Sequence, residues 1–399
     1  MRMNRCLALA LVLAAAFAPL GCSAPVVVTN APVAVSAAGS AITEGDVRRL
    51  LTALADDSLE GRATGSRGSA KAARIIANEM MRIGLEPAGD SGFFQRVPLA
   101  VVMQGTRERP VAYSSFAALD TVPASQRRNA VNVIGILRGS DPGLRDSVIL
   151  VDAHYDHLGI SSGAKGDSIF NGADDDASGT VAVIEIARAM AQGQRPRRTV
   201  IFAATTGEEV GLIGTRWYLA HPVAPIASMT ANLEIEMIGR PDSLAGGPGR
   251  GWLTGFDRST MGTMFAAAGL PIVPDRRLDQ SFFTRSDNIA FAQAGVPAHT
   301  LSSYNMHDDY HTVADDASRV DFPHMTGVIR AGAAAVRLLA DGPAPTWYPG
   351  GRPSAPAPRT GRPPTRPVTA PNTPPASIPP TPVSPGAPLD PVHHEPNAR

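Results

Sequence analysis

Five short polar clusters in this 399-residue chain hold residue types that do chemistry together. They are HYDH at 154–157, ADDDAS at 173–178, GEEVG around Glu208 and Glu209, EIEM with Glu236, and DDYHTVADD with Tyr310 and His311. Singly, each has a plain explanation. A lone histidine is more often a packed or surface residue than a ligand. A Glu pair after a strand suits the first turn of a helix, where the dipole favours negative charge. Three adjacent aspartates, such as Asp174, Asp175 and Asp176, usually form a solvated loop. Together the clusters mix imidazole and carboxylate, the donor set that zinc accepts at about 2.0–2.2 Å. A metal charge would also reverse the repulsion among neighbouring carboxylates.

Such side chains converge only if the intervening segments bring them together. SVILVDA (147–153) and RTVIFAAT (198–205) are short apolar runs of the buried-strand type. ANLEIEMIG (231–239) alternates, with Leu233, Ile235 and Met237 on one face and Asn232, Glu234 and Glu236 on the other. VPAHTLSS (296–303) is a further strand. Between them lie helical patterns: SGTVAVIEIARAMAQG stopped by Gly193, GLIGTRWYLAHP stopped by Pro222, and a closing helix with Asp321 as N-cap and Gly342 just past its end. Upstream, Val47, Leu50, Leu51 and Leu54 recur at helical spacing, and a second helix ends at Gly84. Residues 92–135 read as strands and turns. Strand and helix in alternation predict an α/β fold, a three-layer α/β/α sandwich around a mixed, mainly parallel sheet. In such sheets ligands gather beyond the carboxyl ends of the strands, and all five clusters fall there or in the following loops.

The ends of the chain differ in composition. Arg2 and Arg5 followed by LALALVLAAAFA form an export signal, residues 1–22, too short to span a membrane and stay. PLGC ends it like a bacterial lipobox, with Cys22 as the site of a lipid anchor; cleavage after Ala24 is the alternative and would give a soluble periplasmic or secreted protein. Removing the signal leaves at most one of the two cysteines, so no internal disulfide is expected. Residues 23–41 read as a tether and 42–342 as the folded domain. Residues 343–399 are Pro-rich and read as a disordered tail, a spacer or a ligand for a proline-reading domain. Lys+Arg and Asp+Glu balance at 36 each, which gives no electrostatic case for nucleic acid as a partner.

HYDH, NGADDDASG, GEEVGLIGT, EMIGR and YHTVADD, in this order and preceded by LEGRATGSRG, resemble the M28 family of di-zinc aminopeptidases from about Leu54 to Leu339. The resemblance implies a roughly eight-stranded zinc-exopeptidase sheet and cleavage of the N-terminal residue from peptides with a free N-terminus. It implies His154 as a ligand of one zinc, Asp175 as the bridging carboxylate, and Glu209 and His311 as ligands of the second, with Glu236 completing the set. Glu208 takes the place of the general base and Tyr310 that of an oxyanion donor. Asp156 would fix the His154 tautomer, and Asp174 and Asp176 would hold the loop or the ligands. The family also implies a cis peptide bond after the bridging aspartate. Two Zn²⁺ bring four positive charges; Asp175, Glu209 and Glu236 remove three and a shared hydroxide the last. Position 236 is Asp in the usual pattern, so Glu236 changes the reach of that ligand. The glutaminyl cyclase branch shares the pattern with one zinc and is the alternative reading; a non-catalytic envelope binding protein is the second. His157, His221, His299, His307 and His324 are read as structural, and His393 and His394 as solvated. Asp287 and Asn288 are candidates for the surroundings of the site. Arg240 and Asp242 are expected to brace the loop after Glu236.

Overall fold

The computed structural model describes residues 39, 41–105, 107–161 and 166–354. The export signal, nearly all of the tether and the tail from residue 355 lie outside the described residues. Ten strands form one mixed sheet among the described residues. They are β1 (Glu86–Pro87), β2 (Phe94–Gln104), β3 (Arg107–Ala112), β4 (Arg127–Leu137), β5 (Val148–His154), β8 (Thr199–Thr205), β9 (Met229–Ile235), β10 (Gly251–Leu253), β11 (Ile272–Pro274) and β12 (Ala298–Ser302). A separate hairpin pairs β6 (Gly159–Ile160) with β7 (Ile169–Phe170). The order is β11-β10-β12-β9-β5-β8-β4-β2-β3, with β1 beside β4. The centre, β12-β9-β5-β8, is parallel. Antiparallel strands flank it at β4 and β10. The sheet has ten strands where the resemblance implies roughly eight, the two- and three-residue strands β1, β10 and β11 among them.

Alternation along the strands divides the core in two. Ile149, Val151, Ala153, Val200, Phe202, Leu233 and Ile235 face one side. Val148, Leu150, Ile201, Ala203 and Met229 face the other. Every residue of β5 and β8 is buried, as befits central parallel strands covered on both faces. The first face is closed by α1 (Glu44–Leu54), α2 (Arg67–Ile83), α4 (Gly179–Gln192) and α8 (Phe322–Asp341). A one-turn helix, α3 (Phe116–Leu119), lies at the edge, and α6 (Thr260–Ala267) adds Met261 and Phe265 to the first core. The second face is closed by α5 (Ile213–Ala220) and α7 (Asn288–Ala294).

The helices start and stop where the sequence signals. Thr43 caps α1 by accepting from Asp46 N, and Asp321 caps α8 by accepting from His324 N. Gly84 ends α2 in the left-handed region at φ 82°. Val47, Leu50, Leu51 and Leu54 of α1 are all buried, each side chain contributing roughly 1.5–3 kcal/mol of hydrophobic stabilisation.

The folded body runs past residue 342, where the sequence places the start of the tail. Thr260 N donates to Thr346 O (2.8 Å), Trp347 Nε1 to Gly295 O (3.0 Å) and Tyr348 N to Arg258 O (2.9 Å). Half-buried Trp347 and these backbone bonds help fasten a segment whose composition reads as unstructured.

Candidate metal centre and active site

The parallel strands deliver four of the side chains. His154 is the last residue of β5, Glu208 and Glu209 follow β8, and Glu236 follows β9. Asp175 comes from the irregular segment Ala173–Ser178, which leads straight into α4. His311 comes from the loop after β12. The six groups named from the sequence thus meet beyond the carboxyl end of the sheet.

Asp175 joins two groups of donors. His157, Asp175, Glu209 and His311 bring one atom each to within 4.8 Å of one another, and so do His154, Asp175 and Glu236. One Asp175 oxygen stands 3.3 Å from His154 Nε2, and the other 3.0 Å from His311 Nε2. Glu209 lies 3.3 Å from His311 Nε2, and Glu236 lies 3.9 Å from His154 Nε2. Glu236 therefore reaches the first group despite its extra methylene.

The hydrogen bonds test whether a cation fits. His154 Nδ1 faces the Asp156 carbonyl at 3.1 Å; a carbonyl only accepts, so the proton is on Nδ1. Nε2 is then left as a lone pair, fully buried, with no hydrogen-bond partner and with two carboxylates in front of it. His311 Nε2, facing Asp175 and Glu209, lacks a hydrogen-bond partner as well. Buried unpartnered imidazole nitrogens facing carboxylates are the arrangement a divalent cation resolves. The mixture of nitrogen and oxygen donors suits zinc better than calcium or magnesium, which prefer oxygen alone.

The electrostatics of the clustered side chains point the same way. Burial, opposed by His154 but reinforced by Glu209 and Glu236, pushes the Glu208 carboxyl well above the usual carboxylate range. Burial likewise raises Glu236 to about 7, with Asp175 adding to the shift. Against burial, the His154 and His311 imidazoles hold Asp175 well below its usual value. His311 rises to about 10 because Asp175 and Glu209 outweigh its desolvation.

Supporting residues fix the loops. Asp315 accepts the backbone N–H groups of Asp174 (2.9 Å) and Asp175 (3.0 Å). Asp174 accepts from Gly239 N (2.6 Å) and from His307 Nε2 (2.9 Å). Asp176 accepts from Gly179 N and Met237 N, tying the segment before α4 to the residue after Glu236. Met237 and His311 both hold left-handed backbone, at φ 50° and 55°. A Cβ at Gly172, itself at φ 56°, would run into the Asp175 carbonyl and the His157 ring. The Asp175–Asp176 peptide is cis. Buried Arg62 donates to the carbonyls of Leu54, Tyr155, Asn171 and Gly172, clamping α1 to the site loops. Arg240 pairs with Asp309 at 2.6 Å and Asp242 with Arg277 at 2.6 Å, bracing the loop after Glu236 as expected.

Three expectations need correction. His157 is not an isolated structural histidine: its Nδ1 lies 2.8 Å from Glu209 Oε1, within the four-residue donor group. The Asp156 carboxylate does not bond the His154 ring, from which it stands 3.8 Å away; its backbone carbonyl does that. The carboxylate instead accepts from Glu208 N (3.2 Å) and the Thr64 hydroxyl (2.7 Å), so it positions the Glu208 turn. Asp287 and Asn288 brace Glu234, which is fully buried and accepts both of their backbone N–H groups and the Ser286 and Thr300 hydroxyls. His299 and His324 are buried and hydrogen-bonded, as read from the sequence.

The donors open onto a cleft of about 650 Å³ lined also by Met237, Trp252, Phe282, Tyr304, Tyr310 and Arg285. Tyr310 stacks on His311 at 3.9 Å. Burial and the nearby Asp175, Glu209 and Glu236 raise its hydroxyl far above the ordinary phenol value, so it stays a donor.

Comparison with known proteins agrees with this geometry. The model of Peptidase family M28 matches residues 132–336, and the chain belongs to that family. Leupeptin-inactivating enzyme 1 of Streptomyces exfoliatus is 32% identical over 178 residues, 43% of this chain and 35% of that protein. Vacuolar membrane protease of Candida dubliniensis is 28% identical over 192 residues, 48% of this chain and 19% of that one. The chain thus spans about a third or less of the length of these relatives. Among solved structures, the aminopeptidase from Aneurinibacillus sp. strain AM-1 superposes with a TM-score of 0.55 at 17% identity, covering 79% of this chain and 98% of that one. BSAP, a zinc aminopeptidase from Bacillus subtilis, gives 0.56 at 15%, covering 75% and 96%. At these identities the structural likeness establishes the fold.

Proposed function

We propose that this protein is a zinc-dependent aminopeptidase holding two zinc ions. His154, Asp175 and Glu236 would hold one; Asp175, Glu209 and His311 would hold the other, with His157 beside Glu209. The observation that carries the reading is the sharing of Asp175 between two donor groups with Glu208 lining the same cleft. Bound zinc supplies Lewis acidity, both for the attacking water and for the scissile carbonyl.

The chain's own residues do the rest. Glu208 accepts the proton from water and returns it to the leaving amine, its turn held by Asp156. The Tyr310 phenol donates a hydrogen bond to the developing oxyanion. The carboxylates of the cleft attract a free α-ammonium, which favours substrates with an unblocked N-terminus. Export to the cell envelope, through a lipid on Cys22 or as a soluble protein, remains part of the proposal on the strength of the N-terminal pattern alone.

A panel of aminoacyl anilides tests the activity. Free aminoacyl anilides should be hydrolysed, N-acetylated ones should not, and a chelator should abolish turnover until zinc is restored. Equal cleavage of blocked substrates, or turnover indifferent to chelation, would overturn the reading.

A further inference from the structure

Among the residues lining the cleft, one is an arginine. Asp175, Glu208, Glu209 and Glu236 line it, and so does Arg285. Other arginines near the site are committed: Arg240 to Asp309, Arg277 to Asp242, and Arg62 to four backbone carbonyls. Arg285 forms no ion pair among the described residues, although carboxylates line the same cavity. Its guanidinium lies 5.1 Å from the centre of the Phe282 ring. Phe282 in turn stacks on Trp252 at 5.2 Å and 25°.

The backbone beneath it is fixed. Phe282 and Phe283 are buried on one side of Arg285. On the other, Ser286, Asp287 and Asn288 are all bonded to the Glu234 carboxylate. A guanidinium that packs against an aromatic ring keeps its edge N–H groups free for a planar, bidentate acceptor. We propose, building on the aminopeptidase reading, that Arg285 is a specificity-determining residue that binds a carboxylate of the substrate. That carboxylate is either the side chain of an acidic N-terminal residue or the C-terminus of a dipeptide. Both share the same chemistry, an anion held across the cleft from the carboxylates that attract the α-ammonium.

Two substrate pairs separate the sources in the zinc-loaded full chain. One is glutamyl against glutaminyl anilide; the other is alanylalanine against its C-terminal amide. The charged member of one pair should be favoured about tenfold to a hundredfold in kcat/KM, the range of a charge-assisted hydrogen bond, and the pair that shows it names the source. Arg285→Gln should bring that ratio to about one, and Arg285→Glu should push it below one, a reversal that mere loosening of the turn would not produce. Equal rates within both wild-type pairs, or a preference that survives Arg285→Gln, would overturn the proposal. Calorimetry with the same four compounds, and with free glutamate and glutamine, reads the contact without turnover. Charge-selective, Arg285-dependent binding by a protein without hydrolysis would sink only the peptidase reading. Hydrolysis without charge discrimination would sink only this inference, and absence of both would sink both.

Discussion

The Asp315 carboxylate accepts the backbone N–H groups of Asp174 and Asp175, one on each oxygen, at 2.9 and 3.0 Å. The middle aspartate of the DDD run is thus aimed by a residue 140 positions further along the chain. Asp315→Ala should leave the fold intact but weaken zinc binding by roughly 10- to 100-fold, the usual penalty for losing an outer support of a metal site. Competition with a chromophoric chelator measures it; wild-type affinity would show that Asp175 needs no such support.

Glu208→Gln separates chemistry from metal binding. The variant should hold as much zinc as the wild type and lose about 10²- to 10⁴-fold in kcat, the range ascribed to general acid–base catalysis. Metal analysis beside steady-state kinetics gives both numbers. Normal kcat would remove Glu208 from the proton-transfer role.

Arg62→Met should cost stability. The guanidinium is 1% exposed and serves four backbone carbonyls; methionine would leave those of Leu54, Tyr155 and Asn171 without it, while Gly172 O keeps Ala177 N. Unsatisfied buried acceptors predict a loss of at least about 3 kcal/mol, visible as a lowered urea midpoint or Tm. Zinc affinity should fall with it, because Asn171 and Gly172 lead into the Asp175 segment.

His299 gives the stability a pH dependence on the acid side. Burial lowers its pKa from 6.5 to about 4, and its ring spans the Thr254 carbonyl and the Ser259 hydroxyl at 2.7 and 2.6 Å in the neutral form. Between about pH 6.5 and 4 the unfolded chain binds a proton that the folded chain refuses, so stability falls as pH drops through that window. The full effect amounts to about 3 kcal/mol, and it is absent above pH 7. In His299→Gln the difference in stability between pH 7 and pH 4 should shrink by that order; an unchanged difference would contradict the assignment.

The sequence made the site legible where chemistry demands particular residue types at strand ends. His154, Asp175, Glu208, Glu209, Glu236 and His311 could be named because the motifs that hold them resemble the M28 pattern in order and spacing. His157 carries no sequence signal of its own beyond a structural histidine; its 2.8 Å approach to Glu209 is a tertiary contact. Asp315 and Arg62 act on backbone groups, and backbone partners are chosen by tertiary contact rather than by local pattern. Glu234 reads as a polar strand residue and is in fact sealed in, raised to about 8 chiefly by burial, with Glu236 and Asp287 adding to it. The central strands announced themselves as apolar runs, whereas β10 and β11, three residues each, are too brief to show a period. The segment 343–354 was hidden by proline-rich composition that says nothing about where Trp347 lands.

Zinc content per chain is the most direct check on the shared-aspartate centre. After dialysis against a buffer of fixed low zinc activity, the wild type should retain two zinc ions per chain, Glu236→Ala about one, and Asp175→Ala almost none. An Asp175→Ala protein that kept the wild-type zinc load would contradict the account at its root.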